Sequence, residues 1–182
     1  NQIKMKSIQI NRDDKMASVF PKITYDLFRL GRDSDGGYVL SEGAFKQVDL
    51  VLSLGIGDDW SFEEQAAEQL PNVTIVGSDF TVTKELLRNL FLKKFLKLLI
   101  GKVSVKELID QYAFNKRFNS FYGVTAENLG KRISNKDEGI DITLETIIKR
   151  YSDFNNILIK MDVEGGEYYT IKSIVKNRQK IP

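Results

Sequence analysis

Residues 49–59 read Asp49-Leu50-Val51-Leu52-Ser53-Leu54-Gly55-Ile56-Gly57-Asp58-Asp59, and this stretch decides the fold. A near-continuous apolar run halted by Gly-x-Gly has the form of a buried parallel strand turning into a helix. Gly55 and Gly57 lack Cβ, so the turn can be tight and a ligand can approach the backbone. Ser61-Phe62-Glu63-Glu64 carries the Ser-x-x-Glu pattern of a capping box and predicts a helix over residues 61–70, stopped by Pro71-Asn72. Val73-Thr74-Ile75-Val76-Gly77-Ser78-Asp79 predicts the next strand, ending on an acid. Asp79 lies about 20 residues beyond the glycines, where a βαβ nucleoside site puts the carboxylate that holds ribose hydroxyls.

The residues after the glycines bear on which nucleoside would fit. A dinucleotide fingerprint wants a third glycine three residues after the second; here that position is Trp60. Asp58 and Asp59 sit at the predicted helix N-terminus, where a pyrophosphate would have to dock, and two carboxylates there repel a diphosphate. They do not repel S-adenosylmethionine, whose sulfonium and ammonium groups are cationic. Charge therefore favours that cofactor over NAD or FAD. Phe80, directly after Asp79, is either an adenine-stacking ring or ordinary core.

With 182 residues the chain suits one domain with a full core, and 42% hydrophobic content marks it as globular rather than disordered. Twenty-seven Lys and Arg stand against 25 Asp and Glu. That net charge of +2 argues neither for nor against a nucleic-acid surface, and no such partner is expected. The absence of cysteine excludes a disulfide framework and a thiolate metal site. The absence of histidine excludes Ser-His-Asp and Cys-His catalysis and histidine-ligated zinc, and no metal site is predicted. No apolar run reaches transmembrane length and no signal peptide is evident, so the expected location is cytoplasmic.

Residues 1–20 read as a polar arm and residues 21–182 as one α/β domain. Phe28 and Leu30 belong to one short strand and Tyr38 to Leu40 to another, joined by an Asp-, Ser- and Gly-rich turn. That unit is either a loop over the cofactor, with Arg32 and Asp35 supplying contacts, or a hairpin closing one end of the sheet. A helix is predicted from about residue 84, and a second over about 105–112. Phe91-Leu92-Lys93-Lys94-Phe95-Leu96-Lys97 is a basic amphipathic segment of a kind that can bind membranes. The reading preferred from the sequence gives its lysines to the solvated face of a helix packed on the sheet, so membrane contact is not expected. Residues 119–125 read as the third strand, 127–139 as a polar loop, and 142–151 as a helix.

A second apolar strand ends in acids and glycines: Ile157-Leu158-Ile159-Lys160-Met161-Asp162-Val163-Glu164-Gly165-Gly166-Glu167. In an open α/β sheet, ligands bind at the carboxyl ends of strands beside the topological switch. With strand order 3-2-1-4, the first and fourth strands flank that crevice, and Gly55-Ile56-Gly57 faces Asp162-Val163-Glu164-Gly165 across it. Alternatively, Asp162 and Glu164 only cap the following helix, 167–175.

Lys160-Met161-Asp162-Val163-Glu164-Gly165-Gly166-Glu167 resembles the Lys-Ile-Asp-Val-Glu-Gly-Ala-Glu signature of FkbM-type methyltransferases. Ile142-Thr143-Leu144-Glu145-Thr146-Ile147 resembles the segment that precedes it in that family. The Gly31 to Val39 and Leu54 to Asp59 stretches resemble a related branch of methyltransferase-like proteins. The resemblance spans about residues 30–174. It implies a class I, S-adenosylmethionine-dependent methyltransferase with a Rossmann-like doubly wound sheet, usually acting on oxygen. Carried over by position, Gly55 and Gly57 line the methionine end of the cofactor, Asp79 holds the ribose, and Asp162 with Glu164 sits near the transferred methyl. Ser53 departs from the pattern, standing where many class I enzymes have an acid; Asp58 is the substitute for contact with the cofactor's amino group.

An oxygen acceptor must lose a proton, and without histidine the base is a carboxylate, a lysine or a tyrosine, or else a bound metal acidifies the hydroxyl. Asp162 and Glu164 are the local candidates, with Tyr168 and Tyr169 beside them. A full fold of this class continues with a fifth strand, roughly 40–60 further residues at ordinary element lengths. The chain is therefore expected to be C-terminally truncated, or to have its fourth strand covered by a partner or a second copy. The expected acceptor is a small molecule or glycan. The competing readings are a non-catalytic nucleoside-binding module and a nicotinamide-dependent Rossmann enzyme.

Overall fold

The structure, a computed structural model, describes residues 26–33, 37–163 and 165–177. The arm expected at residues 1–20, and the candidate residues Asp35 and Glu164, lie outside them. Strands β1 (Leu27–Leu30) and β2 (Tyr38–Ser41) pair antiparallel as a separate two-stranded sheet, followed by the short helix α1 (Glu42–Phe45). This hairpin packs beside the second helix rather than extending the main sheet. The Tyr38 ring meets Phe62 edge-on at 5.2 Å, and the Gly31 amide donates to Gln65 Oε1 at 2.9 Å.

The quoted stretch forms β3 (Leu50–Leu54), and every residue of it is buried. Helix α2 (Ser61–Gln69) leads to β4 (Thr74–Ser78), then to α3 (Lys84–Leu99) and α4 (Val105–Ser120). A π-helical turn over Phe121–Thr125 precedes β5 (Glu127–Asn128). The short strands β6 (Arg132–Ile133) and β7 (Asp141–Ile142) pair with each other, and α5 (Leu144–Arg150), β8 (Ile157–Met161) and α6 (Glu167–Asn177) complete the described chain. The main sheet runs β5-β4-β3-β8, with every pairing parallel. Counted in chain order, its strands stand third, second, first, fourth.

Alternation along β3 sends its side chains to two cores, because successive Cβ atoms point to opposite faces. Val51 joins Phe62 and Ala66 of α2, Leu87 of α3 and Phe118 of α4 on one face. Leu50, Leu52 and Leu54 join Leu144 and Ile147 of α5 on the other. Each fully buried Leu or Phe here contributes about 1.5–3 kcal/mol of apolar transfer, which is why the central strand tolerates so little polarity. The molecule is thus an α/β protein, a parallel four-stranded sheet with helices on both faces, in a Rossmann-like arrangement.

Three expectations are corrected. Residues 119–125 are helical rather than a strand. Phe118, Phe121 and Tyr122 fall at i, i+3 and i+4, and that spacing gathers their rings: Phe118 and Tyr122 stand 5.0 Å apart, and Phe118 meets Trp60 at 5.5 Å. The third strand is instead β5, only two residues long, inside the segment read as a polar loop. The capping box at Ser61 does not form. Trp60 is the N-cap of α2 and makes no side-chain cap, while Asp59 Oδ1 accepts from the Ser61 amide at 3.1 Å. Glu64 is drawn away, accepting from Trp60 Nε1 and from Arg117 Nε, each at 3.0 Å. Finally, α3 is not a helix laid along the sheet: it packs on α4, and Leu87 is its one buried residue. Among the described residues no helix is long and apolar enough to cross a membrane.

Candidate functional site

The ends of β3 and β8 come together at backbone level. The Asp162 amide donates to the Leu54 carbonyl at 2.8 Å, and the Gly55 amide to the Ser78 carbonyl of β4 at 3.1 Å. Gly55 has φ +82°, and a Cβ placed on it would lie 2.0 Å from the Asp162 carbonyl oxygen. Only glycine permits this approach, so the first glycine of Gly-x-Gly is demanded by the protein's own backbone.

Above these ends opens a cavity of about 790 Å³, within the range of small-molecule and cofactor sites. Gly55, Ile56, Gly57, Asp58 and Asp59 form one wall, Ser78 to Thr81 the next, and Asp162, Val163, Gly165 and Gly166 the opposite one. The described candidates Gly55, Gly57, Asp58, Asp79, Phe80 and Asp162 therefore all line one space. Arg32 borders it too and pairs with Asp59 at 3.2 Å, so the β1–β2 hairpin contributes to the rim.

Asp79 is the hub of the glycine turn. Its Oδ2 accepts from the amides of Ile56 and Gly57, each at 2.8 Å; Oδ1 accepts from the amide and hydroxyl of Thr81 at 2.7 and 2.6 Å. Burial opposes its ionisation, but the donors of Gly57, Thr81 and Ile56 outweigh it and hold the carboxyl below its ordinary value. Four donors fill the roughly four lone-pair sites of a carboxylate. Asp162, by contrast, is exposed, and Tyr38 donates its hydroxyl to Oδ2 at 3.4 Å. Among the described residues Asp58, Asp79 and Asp162 have no cationic partner. Phe80 is partly exposed, with the Arg132 guanidinium 5.6 Å from its ring centre.

Beneath the turn lies a network the sequence reading did not assign. Lys160 Nζ pairs with Glu63 Oε1 at 2.9 Å, and both side chains are almost wholly buried. Ser53 donates its hydroxyl to the same carboxylate oxygen, and Lys160 stands over the rings of Tyr38 and Phe62 at 5.4 and 5.9 Å. The acid missing at position 53 is thus supplied from α2, but to a buried lysine rather than to the cavity. A lysine inside an otherwise apolar strand was the available signal, since a buried cation requires a partner. Tyr122 lies in the same layer; burial first, then the charges of Glu63 and Asp79, push its phenol up, so it remains neutral. Lys131 to Ser134, in the segment read as a loop, together with Lys160 and the candidate base Tyr169, complete the cavity's lining. Among the described residues no group of three or more acidic side chains is placed to hold a metal ion.

Fold and crevice together define a Rossmann-like α/β protein with a cofactor-sized cavity at the carboxyl ends of its central strands. No family model, no curated protein and no solved structure matches the chain.

Proposed function

We propose that the protein is a class I, S-adenosylmethionine-dependent methyltransferase acting on a hydroxyl of a small molecule or sugar. The observation that carries this reading is the meeting of the Gly55–Asp59 turn and Asp162 across a single cavity. Because the lining cations Arg32, Arg132 and Lys160 are each paired with another acid, the carboxylates of Asp58, Asp79 and Asp162 on its walls favour a cationic sulfonium ligand over a pyrophosphate. The strand order third-second-first-fourth agrees with the sheet of such enzymes.

In this reading Gly55 and Gly57 let the methionine end of the cofactor approach the backbone, and Asp58 faces its ammonium group. Phe80 offers the ring face not covered by Arg132 to the adenine. Asp79 reaches the ribose hydroxyls by exchanging its bond from Thr81, whose hydroxyl is the one donor of the four that can rotate away. When bound, S-adenosylmethionine would supply an activated methyl group, which the acceptor oxygen would take as the carbon–sulfur bond breaks, leaving a neutral thioether. The proton leaving the acceptor passes to Asp162. Alignment of donor and acceptor supplies much of the rate, because the sulfonium already activates the methyl group.

Calorimetric titration with S-adenosylhomocysteine, with NADH as control, tests the cofactor. Micromolar binding of the first alone is expected; tight binding of NADH, or of neither, counts against the reading. Asp162→Asn is expected to lower turnover about tenfold or more, within the usual range for a general base, with S-adenosylhomocysteine binding retained. The second reading, a non-catalytic nucleoside-binding module, rests on the same cavity and the same wall residues. Methyl transfer to any acceptor eliminates it.

A further inference from the structure

The hairpin of α3 and α4 has a surface that the site does not use. Leu92, Phe95, Leu96 and Leu99 recur at i, i+3, i+4 and i+7 on α3, and they are 43–68% exposed. Ile100 at the turn and Val105 and Ile109 on the first turns of α4 continue the patch and are equally open. A helix that presents one apolar stripe to its neighbour and a second to water has an unpartnered face. Exposed apolar residues gathered on one helical face mark a candidate binding surface.

Charge identifies what covers it. Residues 84–120 hold nine Lys and Arg against three acids, net +6, in a chain whose total is +2, so the remainder carries −4. At the far end of the hairpin the segregation is complete: residues 91–106 contain five lysines and no acid. Lys93, Lys97, Lys102 and Lys106 are exposed around the apolar tip. Two hairpins facing each other would set +6 against +6, which disfavours symmetric pairing through this patch. Residues 1–25 are also basic, with Lys4, Lys6, Arg12, Lys15 and Lys22 against Asp13 and Asp14, so they offer no complementary charge.

We propose that the tip of the α3–α4 hairpin docks on the surface of an anionic lipid bilayer. Leu96, Leu99 and Ile100 enter the boundary between headgroups and acyl chains, and the surrounding lysines engage the anionic headgroups. Neither term suffices alone: a patch this small gives modest apolar binding, and lysines near an anionic surface strengthen it roughly fivefold each. Docking is peripheral and falls with ionic strength as the Debye length shrinks.

The test is co-sedimentation of the chain with vesicles of phosphatidylcholine and phosphatidylserine, against vesicles of phosphatidylcholine alone. Partition onto the first, weak partition onto the second, and release by salt are expected. Lys93→Gln, Lys97→Gln and Lys102→Gln combined should lower partition about a hundredfold. Leu96→Gln with Leu99→Gln should lower it about tenfold or more. All five positions are exposed, so circular dichroism should show the fold unchanged. Failure to partition onto the anionic vesicles, or partition that either variant leaves unaltered, overturns the proposal. So does a dimer in analytical ultracentrifugation that the leucine variant dissolves, since a second copy then occupies the patch. Binding to a single-stranded oligonucleotide that anionic vesicles do not displace overturns it as well.

Discussion

Gly55 and Gly57 look alike in the sequence but are held by different forces. Both have positive φ, +82° and +60°. A Cβ on Gly57 meets nothing within 4 Å, whereas one on Gly55 collides with the Asp162 carbonyl. Gly57→Ala should therefore cost only the left-handed backbone term, about 1–2 kcal/mol. Gly55→Ala should cost roughly 3 kcal/mol or more, because the strand ends must also part. Urea unfolding of the two variants measures the difference; equal losses would show that the β3–β8 approach is soft. The carboxylate that holds this turn gives a second test. Asp79 titrates below its ordinary value of 3.8 in the folded protein. Its ionised form therefore stabilises the fold above that pH, and the contribution is lost as pH falls through 3.8 and on through the lower folded value. At neutral pH Asp79→Asn should cost about 2 kcal/mol, as expected for hydrogen bonds to a charged group. The gap between wild type and variant should close across that acid window. A gap that stays constant in unfolding curves taken down the pH series would assign the turn's stability to other groups.

At the scale of elements, β3, α2, β4 and β8 were legible because each carries one dominant signal: a continuous apolar run, a helix-stopping Pro-Asn, or an acid at a strand's end. The third strand was not. Phe121, Tyr122 and Val124 have strand-forming side chains, yet Tyr122 packs on Phe118, four residues before it, and on Trp60, with Phe121 against its ring, a cluster that helical spacing assembles. The two-residue β5 has no periodicity to detect. The same Ser-x-x-Glu pattern, read from the sequence only at Ser61, closes a capping box at Ser104 and not at Ser61. Ser104 and Glu107 form a reciprocal capping box at α4, with the Ser104 hydroxyl accepting from the Glu107 amide and the Glu107 carboxylate accepting from Ser104. At Ser61 the neighbouring Asp59 takes the capping amide, and the Ser61 hydroxyl is buried without a hydrogen-bond partner. Ser104→Ala should thus cost about 1 kcal/mol, while Ser61→Ala should be neutral or stabilising, because it removes an unsatisfied buried hydroxyl. Thermal unfolding of both variants decides this; an equal loss at Ser61 would mean that its hydroxyl does cap α2.

At the scale of the whole molecule, the site and the hairpin draw on opposite kinds of stability. The cavity rests on β3 and β4, whose residues are almost all buried, and on the Lys160–Glu63 pair beneath the glycine turn. Losing one member of such a pair leaves a buried uncompensated charge, so the floor of the cavity is stiff. That pair joins positions 97 residues apart and was invisible to any local pattern. The α3–α4 hairpin has little comparable anchorage, with Leu87 and Phe118 as the buried residues of its two helices. Amide protection follows buried apolar contact, so native-state hydrogen exchange should divide the molecule. Amides of β3 and β4 should exchange only through global unfolding, with a denaturant dependence equal to that of the whole protein. Amides of residues 91–106 should exchange through local opening that denaturant barely affects, many fold faster. Adding phosphatidylcholine–phosphatidylserine vesicles should slow the hairpin amides and leave those of β3 unchanged, because docking orders one part and cannot stiffen the other further. Uniform protection across both parts without vesicles would show a single cooperative unit, and the hairpin's exposed leucines would then need a contact within the chain to explain them.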